Sequence, residues 1–169
     1  MVHARLFALV LCLCTAGQVS AEVYQMPEAF VAEVFGTAPA PRVLWLSRET
    51  QAGAAAILGH PAANLRQRYW SDGAKSVWIL EDIGKEELIT AGFVVSRGRI
   101  DHARVLAYRE SRGQEVRDPS FLKQFAGAGL DKGDHLDRGI DGISGATLSV
   151  HAMERMARLA LYFDRRSRD

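Results

Sequence analysis

The chain has 169 residues, with 21 Lys and Arg against 20 Asp and Glu and a formal net charge of +1. Such a balance gives no bulk electrostatic signal for a nucleic-acid partner or a membrane-surface binder. The length suits one domain with a substantial core, and the two cysteines, Cys12 and Cys14, both lie close to the N-terminus.

Met1 to Ala21 reads as a secretory signal peptide. Arg5 supplies a positive charge, Leu6 to Leu13 is apolar, and Val19-Ser20-Ala21 offers small residues for cleavage after Ala21. The apolar run is too short to span a bilayer. The expected location is therefore periplasmic or otherwise extracytoplasmic. With both cysteines in that segment, the rest of the chain has no disulfide, thiolate metal ligand, cysteine nucleophile or c-type haem attachment.

Pro27 suits the first position of a helix that Gly36 is placed to end, with Ala29, Phe30, Val34 and Phe35 as its apolar side. Val43-Leu44-Trp45-Leu46 reads as a buried strand. The alanine-rich run from Thr50 to Leu58 reads as a helix closed by Gly59 and Pro61. Arg68-Tyr69-Trp70 and Ser76-Val77-Trp78-Ile79-Leu80 flank Ser71-Asp72-Gly73 as a hairpin. Two more strands, Leu88 to Ser96 and Ile100 to Tyr108, meet around Arg97-Gly98-Arg99, with Ile89, Ala91, Phe93 and Val95 on one face. No strand–helix–strand series follows. This argues against a parallel Rossmann sheet and for a single α+β domain with an antiparallel sheet and flanking helices.

After Tyr108 comes Arg109-Glu110-Ser111-Arg112-Gly113-Gln114-Glu115-Val116-Arg117, then Asp118 as an N-cap, Pro119 as a first helical residue, and Phe121, Leu122 and Phe125 packing inward. Asp131, Asp134, Asp137 and Asp141 recur in a glycine-rich loop without the alternate-residue spacing and closing glutamate of a calcium loop, and read as a solvated acidic stretch. The histidines show no triad or metal spacing, and Ser47 and Ser76 lack a nucleophile-elbow context.

The last stretch carries the chemistry. Asp141-Gly142-Ile143-Ser144-Gly145-Ala146-Thr147 leads into an amphipathic run in which Val150, Met153, Met156, Ala157 and Ala160 recur at helical spacing. Thr147 is expected at or just before the helix start, where unpaired N–H groups and the positive dipole end favour a phosphate. Ser144, Gly145 and Ala146 remove bulk from its approach. The plainer reading is that Thr147 or Ser149 merely caps the helix. The basic end, Arg165-Arg166-Ser167-Arg168, reads as a solvated terminus.

Ser144-Gly145-Ala146-Thr147 resembles the S-G-A-T motif of the FMN-binding domain family, which includes flavin-carrying subunits of the sodium-pumping NADH:quinone reductase and of Rnf-type complexes. Glu110, Ser111 and Gly113 resemble the family's second signature, E-T-P-G-L-G. Ser111 replaces threonine, Arg112 stands where proline is common, and Gln114 and Glu115 depart from leucine–glycine. The resemblance implies FMN esterified through its phosphate to Thr147 by a flavin transferase, a modification that places phosphorus on the protein. It also implies that Ser144, Gly145, Ala146, Glu110, Ser111 and Gly113 border the flavin. The function so implied is electron transfer between membrane-bound or periplasmic redox partner proteins. A flavin-dependent reductase of a small acceptor, or a flavin-free exported binding or sensory module, are the alternatives. The expected organisation is a signal peptide over 1–21, an N-terminal part over 22–87 and an FMN-binding core over 88–169.

Overall fold

The computed structural model describes residues 22–62 and 64–168. The signal-peptide reading and both cysteines lie outside these residues.

Six antiparallel strands form one open sheet. In chain order the elements are β1 (Glu22–Val23), α1 (Pro27–Phe35), β2 (Arg42–Trp45), α2 (Arg48–Leu58), β3 (Arg66–Ser71), β4 (Lys75–Ile83), β5 (Leu88–Ser96), β6 (Arg99–Tyr108), α3 (Pro119–Leu122) and α4 (Thr147–Arg166). Across the sheet the order is β1-β6-β5-β4-β3-β2, so β3 to β6 form a meander of hairpins. This is the antiparallel α+β architecture expected from the sequence.

Local chemistry sets the boundaries. Pro27 starts α1 and Gly36, at φ 75°, ends it. Ser47 Oγ accepts from Thr50 N–H at 3.1 Å and so begins α2 two residues before the expected start. At the β3–β4 turn, Asp72 Oδ1 accepts from the N–H groups of Ala74 and Lys75, both at 2.9 Å. Arg97 and Gly98 both have positive φ, 52° and 72°, matching a two-residue hairpin turn between β5 and β6.

The main core lies on one face of the sheet, beneath α2 and α4. Ile89, Ala91, Phe93 and Val95 of β5 meet Met153, Met156, Ala157 and Ala160 of α4 there, with the Tyr69–Trp78 stack beside them. Each fully buried side chain of leucine or phenylalanine size contributes about 1.5–3 kcal/mol. The α4 stripe therefore fixes this helix, and its N-terminus, against the sheet. A smaller core lies on the opposite face, where α1 inserts Phe30 and Val31 against Trp70, Val77, Val94 and Leu106. Gly92 permits this approach, since a Cβ there would sit 2.3 Å from the Phe30 ring.

Two expectations are corrected. The strand β2 is not buried: it is the outermost strand, with Val43 45% and Trp45 68% exposed. The basic end of α4 is not merely solvated. Arg165 pairs with Asp134 at 2.6 Å, Arg166 with Glu49 at 2.7 Å, and Arg168 with the buried Asp164 at 3.1 Å.

Candidate functional site

Three segments meet at the start of α4: the turn between β4 and β5, the loop after β6, and the approach from Asp141. Gly145, at φ 81°, reverses the chain into Ala146, which occupies the N-cap. No side chain caps this helix. Its first internal bond runs from Val150 N–H to Ala146 C=O at 3.0 Å. The N–H groups of Thr147, Leu148 and Ser149 therefore have no partner among the described residues. Thr147 is the first helical residue and is exposed, its hydroxyl likewise unengaged. Neither Thr147 nor Ser149 acts as the cap that the plainer reading expected.

Ser149 has a different task. It is 4% exposed, and its Oγ lies 2.9 Å from the hydroxyl of Tyr108, itself buried at the end of β6. The Tyr108 hydroxyl donates to the backbone carbonyl of Arg112 at 2.5 Å, so its one proton is used there and Ser149 donates to the phenol oxygen. Burial pushes the Tyr108 phenol up, against the opposing effect of the Ser149 bond. This chain of bonds ties the loop after β6 to the first turn of α4. Gly113 lies against it at φ 88°, and a Cβ there would sit 2.7 Å from the Tyr108 oxygen and 3.2 Å from Ala146 Cβ. Both the backbone conformation and the close packing require glycine at that position.

Glu110 ties the same loop to the third segment. Its Oε1 accepts from the backbone N–H groups of Lys85, Glu86 and Glu87, the last two at 2.7 and 3.0 Å. Burial alone would raise its carboxyl, but the amides of Glu87, Glu86 and Lys85 outweigh that and hold it below the ordinary glutamate value. Glu110 thus anchors the β4–β5 turn as well as facing the site.

Two clefts open over this frame. One, of about 620 Å³, is lined by Lys85, Glu86, Glu110, Ser111, Arg112 and the stretch from Gly145 to Ser149. The other, of about 580 Å³, runs from Ser111 to Asp118 and is closed by Ser144 and Gly145. They share Ser111, Arg112 and Gly145, so the structure brings all seven sequence-predicted site residues to one place. Each cleft is within the range of small-molecule sites.

Lys85, Glu86, Tyr108 and Arg112 escaped the sequence reading as site residues. The Tyr108–Ser149 pair had no local signal, being separated by 41 positions. None of the three tryptophans lines either cleft. Asp141 lies outside both linings, its N–H bonded to Gln124 Oε1 at 2.7 Å. The acidic loop is exposed as expected, and its carboxylates order it: Asp131 accepts from Gly133 and His135 N–H, and Asp137 from Gly129 N–H and Arg99.

Fold and site together define an α+β domain that offers an exposed hydroxyl and three bare amide donors at the mouth of a polar cleft. A model of the FMN-binding domain family matches residues 84–162, from the β4–β5 turn through most of α4. The crystal structure of NqrC from Shewanella oneidensis shares the fold, with a TM-score of 0.58 at 15% identity, covering 81% of this chain and 88% of that one. No curated protein sequence matches the chain. FMN is the cofactor that this family match indicates. The residues present fit it. The bare N–H groups at the α4 start suit its phosphate, and Leu148, 48% exposed in the cleft wall, would offer the ring an apolar surface.

Proposed function

We propose that this protein is an exported electron-transfer carrier holding FMN covalently through a phosphoester on Thr147. The observation that carries the reading is the exposed, unengaged Thr147 hydroxyl on the first residue of an uncapped 20-residue helix. A phosphodiester there would accept from the amides of Thr147, Leu148 and Ser149, with the helix dipole favouring its charge. Gly145 leaves open space on the approach, having no atom within 4 Å of a notional Cβ, so a flavin transferase could reach the hydroxyl. Ser144, Ala146, Ser111 and Gly113 border the cofactor, and Glu110 keeps the facing turn in place.

Bound FMN supplies reversible one- and two-electron chemistry; the protein's part is to set its surroundings. A covalent ester also explains how a flavin stays with a protein outside the cytoplasm, where free FMN is scarce, since tethering keeps the effective concentration high. The partners in this reading are the transferase during maturation and membrane-bound or periplasmic redox proteins afterwards. Signal-peptide cleavage after Ala21 is part of the same proposal, and mature protein should begin at Glu22.

The test is intact-mass measurement of protein co-expressed with a flavin transferase. The mass should rise by one FMN less one water, and proteolysis should localise the flavin to the peptide bearing Ser144 to Ser149. Flavin that washes away on denaturation would refute the ester. Direct turnover of a small acceptor by purified holoprotein would instead favour a reductase.

A further inference from the structure

The sheet ends at β2 in a rim that the flavin site does not use. Trp45 and Leu65, 68% and 66% exposed, both lie there, Leu65 opposite Leu46, whose N–H bonds the Leu65 carbonyl at 2.9 Å. Trp45 pairs in register with Arg66, whose guanidinium stacks 5.9 Å from the indole, and Val43 pairs with Arg68. Arg66 and Arg68 thus share the Trp45 face of the rim, with Glu28 beside them, while Arg42 opens β2 on the other face and Arg48 opens α2. Among the described residues, none of the four makes an ion pair or a side-chain hydrogen bond. The two arginines of β6 differ: Arg99 is held by Asp137 at 2.9 Å and Arg104 by Glu33 at 2.7 Å. The balanced total charge hides this concentration of unpaired cations.

We infer that the β2 rim docks on an anionic lipid surface, a conclusion independent of the flavin reading. Charge complementarity identifies the occupant: unpaired guanidiniums meet lipid phosphates, while the indole and Leu65 enter the headgroup region. Trp45 and Leu65, the two most exposed large apolar side chains among the described residues, stand outside the shallow groove that Glu28, Val43, Arg66 and Arg68 line, free to enter a headgroup layer. Arginine stems can lie along the apolar tip while their heads reach the phosphates.

The sheet's tryptophans make the test specific. Trp78 is 0% and Trp70 9% exposed, so emission changes on docking arise at Trp45. The full chain is mixed with vesicles of phosphatidylglycerol and phosphatidylcholine, with and without brominated acyl chains. The expected result is a blue shift and bromine quenching with anionic vesicles, neither with pure phosphatidylcholine, and release at high salt. Trp45→Phe should remove the optical signal but keep co-sedimentation. The double variant Arg66→Glu, Arg68→Glu should weaken binding on the order of tenfold or more, with an unchanged circular dichroism spectrum. Residues 1–21 carry an apolar run of their own, so sedimentation without Trp45 quenching, or binding indifferent to the double variant, overturns the inference. Retention on immobilised poly-glutamate without vesicle binding also overturns it, in favour of an acidic protein partner.

Discussion

The two ends of α4 are built on opposite rules. Its C-terminal end is closed by a buried side-chain network: Ser76 donates to the buried Asp164 at 2.6 Å, Trp78 donates to Ser76 at 2.8 Å, and Arg168 closes on the same carboxylate. At its N-terminal end no side chain caps the helix, and Thr147 leaves its hydroxyl to solvent. A helix of this length tolerates one bare end because its apolar stripe and its far terminus hold it. The difference separates two tasks within one element, stability at one terminus and an open donor set at the other.

Substitutions at the two ends should therefore part company. Thr147→Ala has the largest expected effect on function: covalent flavin should be lost entirely in co-expression, read by intact mass. Its stability should change by less than about 0.5 kcal/mol, because the hydroxyl makes no bond in the fold. Asp164→Ala should do the reverse, costing about 2–3 kcal/mol in urea unfolding by stripping Ser76 and Arg168 of their partner, with the adduct still formed.

Gly113→Ala tests the frame between the ends. Positive φ and the approach to Tyr108 together should cost about 2 kcal/mol and disturb the cleft, measurable as lower flavin occupancy. Ser149→Ala should cost about 1 kcal/mol and leave the adduct in place, since this buried hydroxyl serves Tyr108 rather than the ligand.

The smallest effect concerns pH. Glu110 titrates below its unfolded value, so its contribution is fully present above the ordinary glutamate pKa and disappears as pH falls through the lower folded one. Acid titration of wild type against Glu110→Gln should show the two stabilities converging in that window. Unchanged separation down to the lowest pH would remove Glu110 from its role as anchor of the turn.

Much of this was legible in the sequence because it is local. The helical spacing from Leu148, the alternation in Leu88 to Ser96, and the small residues before Thr147 each act over a few positions. They appear where expected in α4, β5 and the exposed first helical residue. What was not legible depends on chain segments meeting. Val43-Leu44-Trp45-Leu46 reads as a buried strand until the sheet order places it outermost, where only Leu46 is buried. Ser149 looks like an ordinary first-turn residue until Tyr108 is brought beneath it. Glu110 reads as a flavin contact, and nothing nearby in sequence announces the three amides it holds in the β4–β5 turn.

The loop from Glu110 to Arg117 departs from the family signature at four positions, and the bonding pattern explains why it can. Tyr108 grips the carbonyl of residue 112, not its side chain, and Gly113 and the buried Val116 pack underneath. Arg112, Gln114 and Glu115 all point outward. The scaffold is thus written in main chain and glycine, the lining in replaceable side chains. Selection can retune the side chains that line the cleft, one residue at a time, without refolding the wall that carries them.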